Sequence, residues 1–111
     1  MDEQTVKLAF KMATFLKDET TSHQGFWEVG GNYFIRTVTH HFTGRLVLVT
    51  PQELWIEDAA WIADSGRFAQ AIESGVFAEV EPYPSGKRIA IGRGALIDAH
   101  KIDSSLPRSQ K

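Results

Sequence analysis

An α+β domain built on a small, sharply bent antiparallel sheet of five strands is the fold that the sequence predicts. Three observations predict it. A run of β-branched and aromatic residues is punctuated by turns every eight to ten residues or so; a helical pattern precedes it; and a second helical pattern interrupts it before two short apolar runs. Five bent strands in a chain of 111 residues favour a small closed barrel over an open sheet. The length fits one domain, taken as 1–111.

The elements follow in order. Glu3 to Lys17 (EQTVKLAFKMATFLK) spaces Val6, Ala9 or Phe10, Ala13 and Leu16 for one face of a helix, here 3–17, and Leu8, Met12 and Phe15 widen that face. Residues 18–31 are rich in Thr, Ser and Gly and read as a loop pinned by Phe26 and Trp27. Three strands are predicted over 32–58: NYFIRTVTHHF, a tight turn at Thr43-Gly44, RLVLVT, a turn at Pro51-Gln52, and ELWIED. Alternation puts Leu54 and Ile56 on the core face and Trp55 on the other.

A helical insertion is expected over 59–87. Asp64 or Ser65 would cap its helix, Phe68, Ala71 and Ile72 would form the apolar stripe, and Gly75 would end it. Val76 to Gly86, with Pro82, Pro84 and Gly86, reads as irregular. The last two strands, 88–99, flank the Gly92 turn, and 100–111 is a tail.

Composition narrows the function classes. The chain is 42% hydrophobic and 23% charged, with no apolar run long enough to span a bilayer, so a soluble protein without a membrane partner is expected. No basic, apolar leader opens it and it has no cysteine, which fits the cytoplasm. The net charge of −2 does not suit a protein that coats nucleic acid by bulk electrostatics. The charge is uneven, however: residues 1–86 hold six Lys/Arg against twelve Asp/Glu, and 87–111 hold six against two. An anionic ligand should look toward the C-terminal part.

Gly92-Arg93-Gly94 lacks the lysine, hydroxyl and following helix of a phosphate-binding loop, so it is neither a nucleoside-triphosphate nor a dinucleotide motif. It is a structural turn, or else a guanidinium beside exposed backbone N–H groups that suits phosphate or carboxylate. Arg93 is the first ligand candidate on that second reading, with Gly92 and Gly94 beside it. Trp61 and Arg67 in the insertion either sit under an added helix or a neighbouring subunit, or stack a base and supply charge. His40 and His41 alternate faces on a strand and so cannot share a metal ion; His40 ends the strand at the surface or hydrogen-bonds a ligand. Glu57, Asp58 and Asp64 are the available acid/base carboxylates, but no catalytic constellation surrounds them, and no cofactor or metal is expected. Edge strands and surplus aromatics point to a homo-oligomer.

Gly44-Arg45-Leu46 opening one strand, Leu54-Trp55-Ile56-Glu57-Asp58 forming the next, and Ile91-Gly92-Arg93-Gly94 between the last two resemble the Sm-like family, over residues 3–17 and 32–99. That resemblance implies a bent, SH3-like five-stranded barrel with an N-terminal helix and a nucleotide-facing Arg93-Gly94. The turn that supplies stacking residues in Sm-like RNA binders reads Thr50-Pro51-Gln52-Glu53 here, with no aromatic and no Asn. EDAAWIADSGRF and the ending LPRSQK are also similar to small uncharacterised phage and prophage proteins. Small phage barrels of that kind include binders that sequester nucleotide signals of host immunity. The expectation is therefore a non-catalytic, phage-encoded protein that captures a small anionic nucleotide. An RNA-binding ring, or a structural protein of a virion, is the alternative.

Overall fold

The computed structural model describes residues 25–111, so the helix expected over 3–17 lies outside the described residues. Six strands form one antiparallel sheet: β1 (Asn32–Thr37), β2 (His41–Val49), β3 (Glu53–Asp64), β4 (Glu79–Pro82), β5 (Ile89–Gly92) and β6 (Leu96–Ile102). The order across the sheet is β4-β3-β2-β1-β6, and β5 also pairs with β3. A seven-residue helix, α1 (Phe68–Ser74), is the one α-helix among the described residues.

This corrects the predicted five-stranded Sm-like barrel. The sheet has a sixth strand, β4, and it does not close, because no ladder among the described residues joins β6 to β4 or β5. The helical insertion shrinks as well. β3 runs on to Asp64, six residues past the expected end, and β4 arises in the stretch read as irregular. Glu79-Val80-Glu81 alternates one apolar residue between two carboxylates. That is a half-buried strand too short to stand out beside Pro82 and Pro84. Neither Asp64 nor Ser65 caps α1: Arg67 is its N-cap residue and makes no side-chain cap bond. Asp64 instead accepts the Gly66 N–H at 2.8 Å, closing a local turn before the helix.

The first hairpin also differs in register. Its turn is Val38–Thr39–His40 rather than Thr43-Gly44. The Thr37 hydroxyl donates to the His40 carbonyl (2.7 Å) and accepts the His40 N–H (3.0 Å), so one side chain knits the turn. Gly44 lies in mid-strand opposite Tyr33, with Ile56 pressed against its α-carbon. The close approach, and not a bend, requires glycine there.

Both faces of the sheet are covered. Tyr33, Ile35, Leu46, Leu54, Ile56 and Ile91 make one core cluster, with Trp27, Phe42 and Tyr83 packed against it. On the other face Phe34, Ile62, Ala71, Phe77, Val80 and Ile102 make a second, under α1. Adjacent residues Tyr33, Phe34 and Ile35 serve opposite faces, as the strand period demands. The C-terminal segment then straps the sheet. Leu106 packs on the second cluster, and Lys111 exchanges both backbone hydrogen bonds with Val80 (3.0 and 3.2 Å). No described helix is long and apolar enough to cross a membrane.

A β-bulge positions the rest. Glu57 stands opposite Arg45 and Ala60 opposite Thr43, so β3 spends one residue more than β2 over the same span. Asp58 absorbs it at φ +52°, in the left-handed region. The extra residue flips the face of everything downstream, so Trp61 lies on the side of Leu54 and Ile56 instead of the side of Trp55.

Candidate functional site

The bulge and the β1–β2 turn together build an aromatic groove at one end of the first face. Trp61 on β3 stands opposite Phe42 on β2 and Glu81 on β4. The turn at Val38–His40 brings the His40 ring to 6.0 Å from both Trp61 and Phe42. Just after β4, Tyr83 donates its N–H to the Ala59 carbonyl at 2.8 Å, which holds its ring stacked at 6.4 Å from Phe42. His40, Trp61, Glu81, Pro82, Tyr83 and Pro84 line a hollow of about 280 Å³. Trp61 keeps 40% of its surface exposed there, a large apolar area set among other rings.

The chemistry of this hollow is that of a stacking platform. Its walls are rings and prolines, and prolines offer no backbone N–H. Polar recognition is left to the His40 ring, the Tyr83 hydroxyl, the indole N–H and the Glu81 carboxylate. Glu81 is held by the Gln110 side-chain amide at 3.1 Å, so the C-terminal strap reaches the groove. Arg108 reinforces that link by donating to the carbonyls of Ala59 (2.6 Å) and Tyr83 (2.9 Å).

Of the residues singled out in the sequence, the structure brings two together, His40 and Trp61. Arg93 lies at the other end of β3. Its N–H donates to the Gln52 carbonyl (2.9 Å) and its guanidinium to the Thr50 carbonyl (2.8 Å), so it ties the β5–β6 connection to the β2–β3 turn. Gly92 caps a 3-10 turn, Arg93–Ala95, and Gly94 lies within it, with open space around both glycines. Arg67 is exposed at the start of α1. His41 faces the second core cluster at 6.0 Å from Phe34, and burial, followed by the charge of Arg36, holds its pKa below the usual imidazole value.

The carboxylates are engaged in ion pairs and turns. Glu57 pairs with Arg88 (2.7 Å) and Arg45 (3.4 Å), and the Arg88 hydrogen bond holds its pKa below the ordinary value. Asp58 pairs with Arg45 at 3.3 Å. Arg88 also lies 5.6 Å from the Trp55 ring, while the Trp55 indole donates to Glu53 at 2.8 Å, which accounts for that tryptophan as a surface cation–π contact. No cluster of three or more metal-ligating side chains occurs among the described residues. A second hollow, of about 440 Å³, opens between Asn32, Arg45, Asp58 and Arg108 on the opposite face, where the charged groups already bond to one another or to backbone.

Tyr83, Pro82, Pro84 and Glu81 were not legible as site residues. Pro82-Tyr83-Pro84 was the available signal, an aromatic between two residues that cannot enter a central strand. No protein-family model and no curated protein matches the chain.

Proposed function

We propose that this chain is a non-catalytic binding protein that captures a small nucleotide by its base in the groove of His40, Trp61 and Tyr83. The observation that carries this reading is a half-exposed tryptophan set among rings and prolines at a place the β3 bulge creates. Base stacking on an aromatic side chain contributes about 1–3 kcal/mol and does not require a bound metal or a catalytic group. The ion pairs of Glu57 and Asp58 favour the same reading, because they leave those carboxylates occupied.

The charge around the groove refines the mode of capture. Glu81 is its carboxylate, while Arg93 and Arg67 stand elsewhere, so recognition runs through the ring and the phosphates project past His40 into solvent. Binding should then depend weakly on salt, since few counterions are released. A cytoplasmic homo-oligomer, in an infected cell if the gene is a phage's, completes the proposal.

The test is a thermal-shift panel of linear and cyclic nucleotides, followed by recovery of the ligand. Ligand at about 100 times its Kd should raise Tm by roughly 10 °C, and the recovered nucleotide should be unchanged. Tight binding of single-stranded RNA with a steep salt slope would instead favour the polymer-binding alternative. A cleaved nucleotide would refute the non-catalytic reading.

A further inference from the structure

The groove at Trp61 has two unlike sides. β3 lies between β2 and β4 in the sheet, so Trp61 has Phe42 and the His40 ring toward β2 and Glu81 toward β4. Facing residues of an antiparallel ladder share a face, with β-carbons about 4.5–5.5 Å apart, and Glu81 lines the hollow beside the indole. Among the described residues that line it, Glu81 is the one carboxylate, and none is a lysine or arginine. The β4 side of the platform is therefore a hydrogen-bond acceptor, and the β2 side offers rings.

Glu81 is also oriented. The Gln110 amide donates to one carboxylate oxygen at 3.1 Å, and Lys111, next along the strap, is fixed to Val80 by paired backbone hydrogen bonds. The carboxylate keeps a lone pair on that oxygen and both on the other, enough for two further donors in its plane. A base stacked on Trp61 meets this acceptor with its edge. Of the common bases, guanine alone carries two adjacent donors on one edge, N1–H and the N2 amino group. Adenine and cytosine set an amino group beside a ring-nitrogen acceptor, and uracil sets its N–H between two carbonyls, so each brings a lone pair against the carboxylate.

The same placement separates the negative charges. The glycosidic nitrogen of guanine lies at the far end of the ring system from N1. With N1 and N2 at Glu81, the ribose and phosphates leave over β2, past His40 and away from the carboxylate. A purine turned end for end would set its phosphates against Glu81.

We propose that the groove selects guanine nucleotides, with Trp61 stacking the base and Glu81 accepting its N1–H and N2–H. This rests on the base-stacking reading of the groove and names the base that it takes. Glu81 is then the residue that determines specificity.

Isothermal titration calorimetry with guanosine, inosine and adenosine 5′-monophosphates tests it, because the three share sugar and charge and differ at the edge. Inosine keeps N1–H and lacks the N2 amino group. The wild type should bind the guanosine nucleotide about tenfold more tightly than the inosine nucleotide, and the adenosine nucleotide least tightly. Glu81→Gln presents one acceptor and one donor, the pattern that pairs with adenine's amino group and adjacent ring nitrogen. It should weaken guanosine monophosphate about tenfold and reverse its order with adenosine monophosphate. Glu81 is exposed, so this variant should keep the wild-type Tm. If the guanosine and adenosine nucleotides bind equally while Trp61→Ala weakens both, the guanine inference is overturned and the stacking reading stands. A guanine preference that survives Glu81→Gln also overturns the inference. If none of the three binds, or if Trp61→Ala binds as well as wild type, both the inference and the stacking reading fall.

Discussion

Replacing Gly44 by alanine should destabilise the fold, against the usual expectation that alanine improves a strand. A β-carbon built at Gly44 would lie 2.7 Å from Ile56 Cδ1 and 2.9 Å from Ile56 Cβ. The first contact can be relieved by moving the end of a side chain, but the second is fixed to the β3 backbone. Ile56 is fully buried, and its branched side chain has little freedom at χ1. Overpacking of this kind costs about 1–3 kcal/mol, while relief of glycine's excess entropy returns about 0.5–1 kcal/mol. The net loss centres on about 1 kcal/mol and reaches about 2.5 kcal/mol at most, a fall in Tm of about 5 °C for the central value at this chain length. Gly94→Ala is the control, because nothing lies within 4 Å of its would-be β-carbon, and its stability should stay within about 0.5 kcal/mol of wild type. Thermal and urea unfolding of both variants measure the difference. If Gly44→Ala proves as stable as wild type, the β2–β3 packing described above is wrong, and a turn at Gly44 regains its case.

Further expectations concern the bulge, the strap and the edge. Asp58 holds φ +52°, so Asp58→Gly should match wild type or exceed it, whereas Asp58→Val should lose about 1–3 kcal/mol in urea unfolding; equal stabilities would remove the bulge from the account. Arg108→Ala strips a charged donor from the carbonyls of Ala59 and Tyr83 and should cost about 1–3 kcal/mol, a loss that Arg108→Lys should recover only in part. The hydrogen bond from Arg36, ahead of its charge, holds the Asp98 pKa below the ordinary carboxylate value. Stability from this pair is therefore present above about pH 4 and lost as pH falls through the depressed folded value. Urea midpoints at neutral and strongly acid pH should show Asp98→Asn less stable than wild type when neutral and closer to it in acid; a constant gap would contradict the pairing.

What the sequence made legible was element type, and what it hid was register. The alternation of Leu54, Trp55 and Ile56 placed two side chains in the core and one outside, and each lies there. Thr43-Gly44 was misread because glycine after a β-branched residue signals a turn equally well when it marks a close approach. The signal for the true turn, Thr37 bonding back to His40, depends on a three-residue spacing that most Thr residues satisfy by chance. The bulge at Asp58 left no composition trace, since a left-handed Asp looks like any other Asp. Without it, simple alternation carries Trp61 to the face of Trp55 and the groove cannot be foreseen. Arg93 drew notice for its glycines, yet its guanidinium is used to join two turns. Tyr83 was missed because prolines on both sides advertise irregular chain rather than the wall of a site.

The central claim is that the groove at Trp61 holds a base, and the most direct measurement is a titration with adenosine and cyclic adenosine monophosphate followed by 1H–15N NMR. Each of the three tryptophans supplies a separate indole N–H signal. The account predicts that the Trp61 signal moves with added nucleotide, together with backbone signals of His40 and Tyr83, while Trp55, engaged by Glu53 at 2.8 Å, stays in place. Trp61→Ala should remain folded and bind at least about fivefold more weakly. Saturable shifts confined to Gly92, Arg93 and Gly94, or shifts that survive Trp61→Ala unchanged, would contradict it.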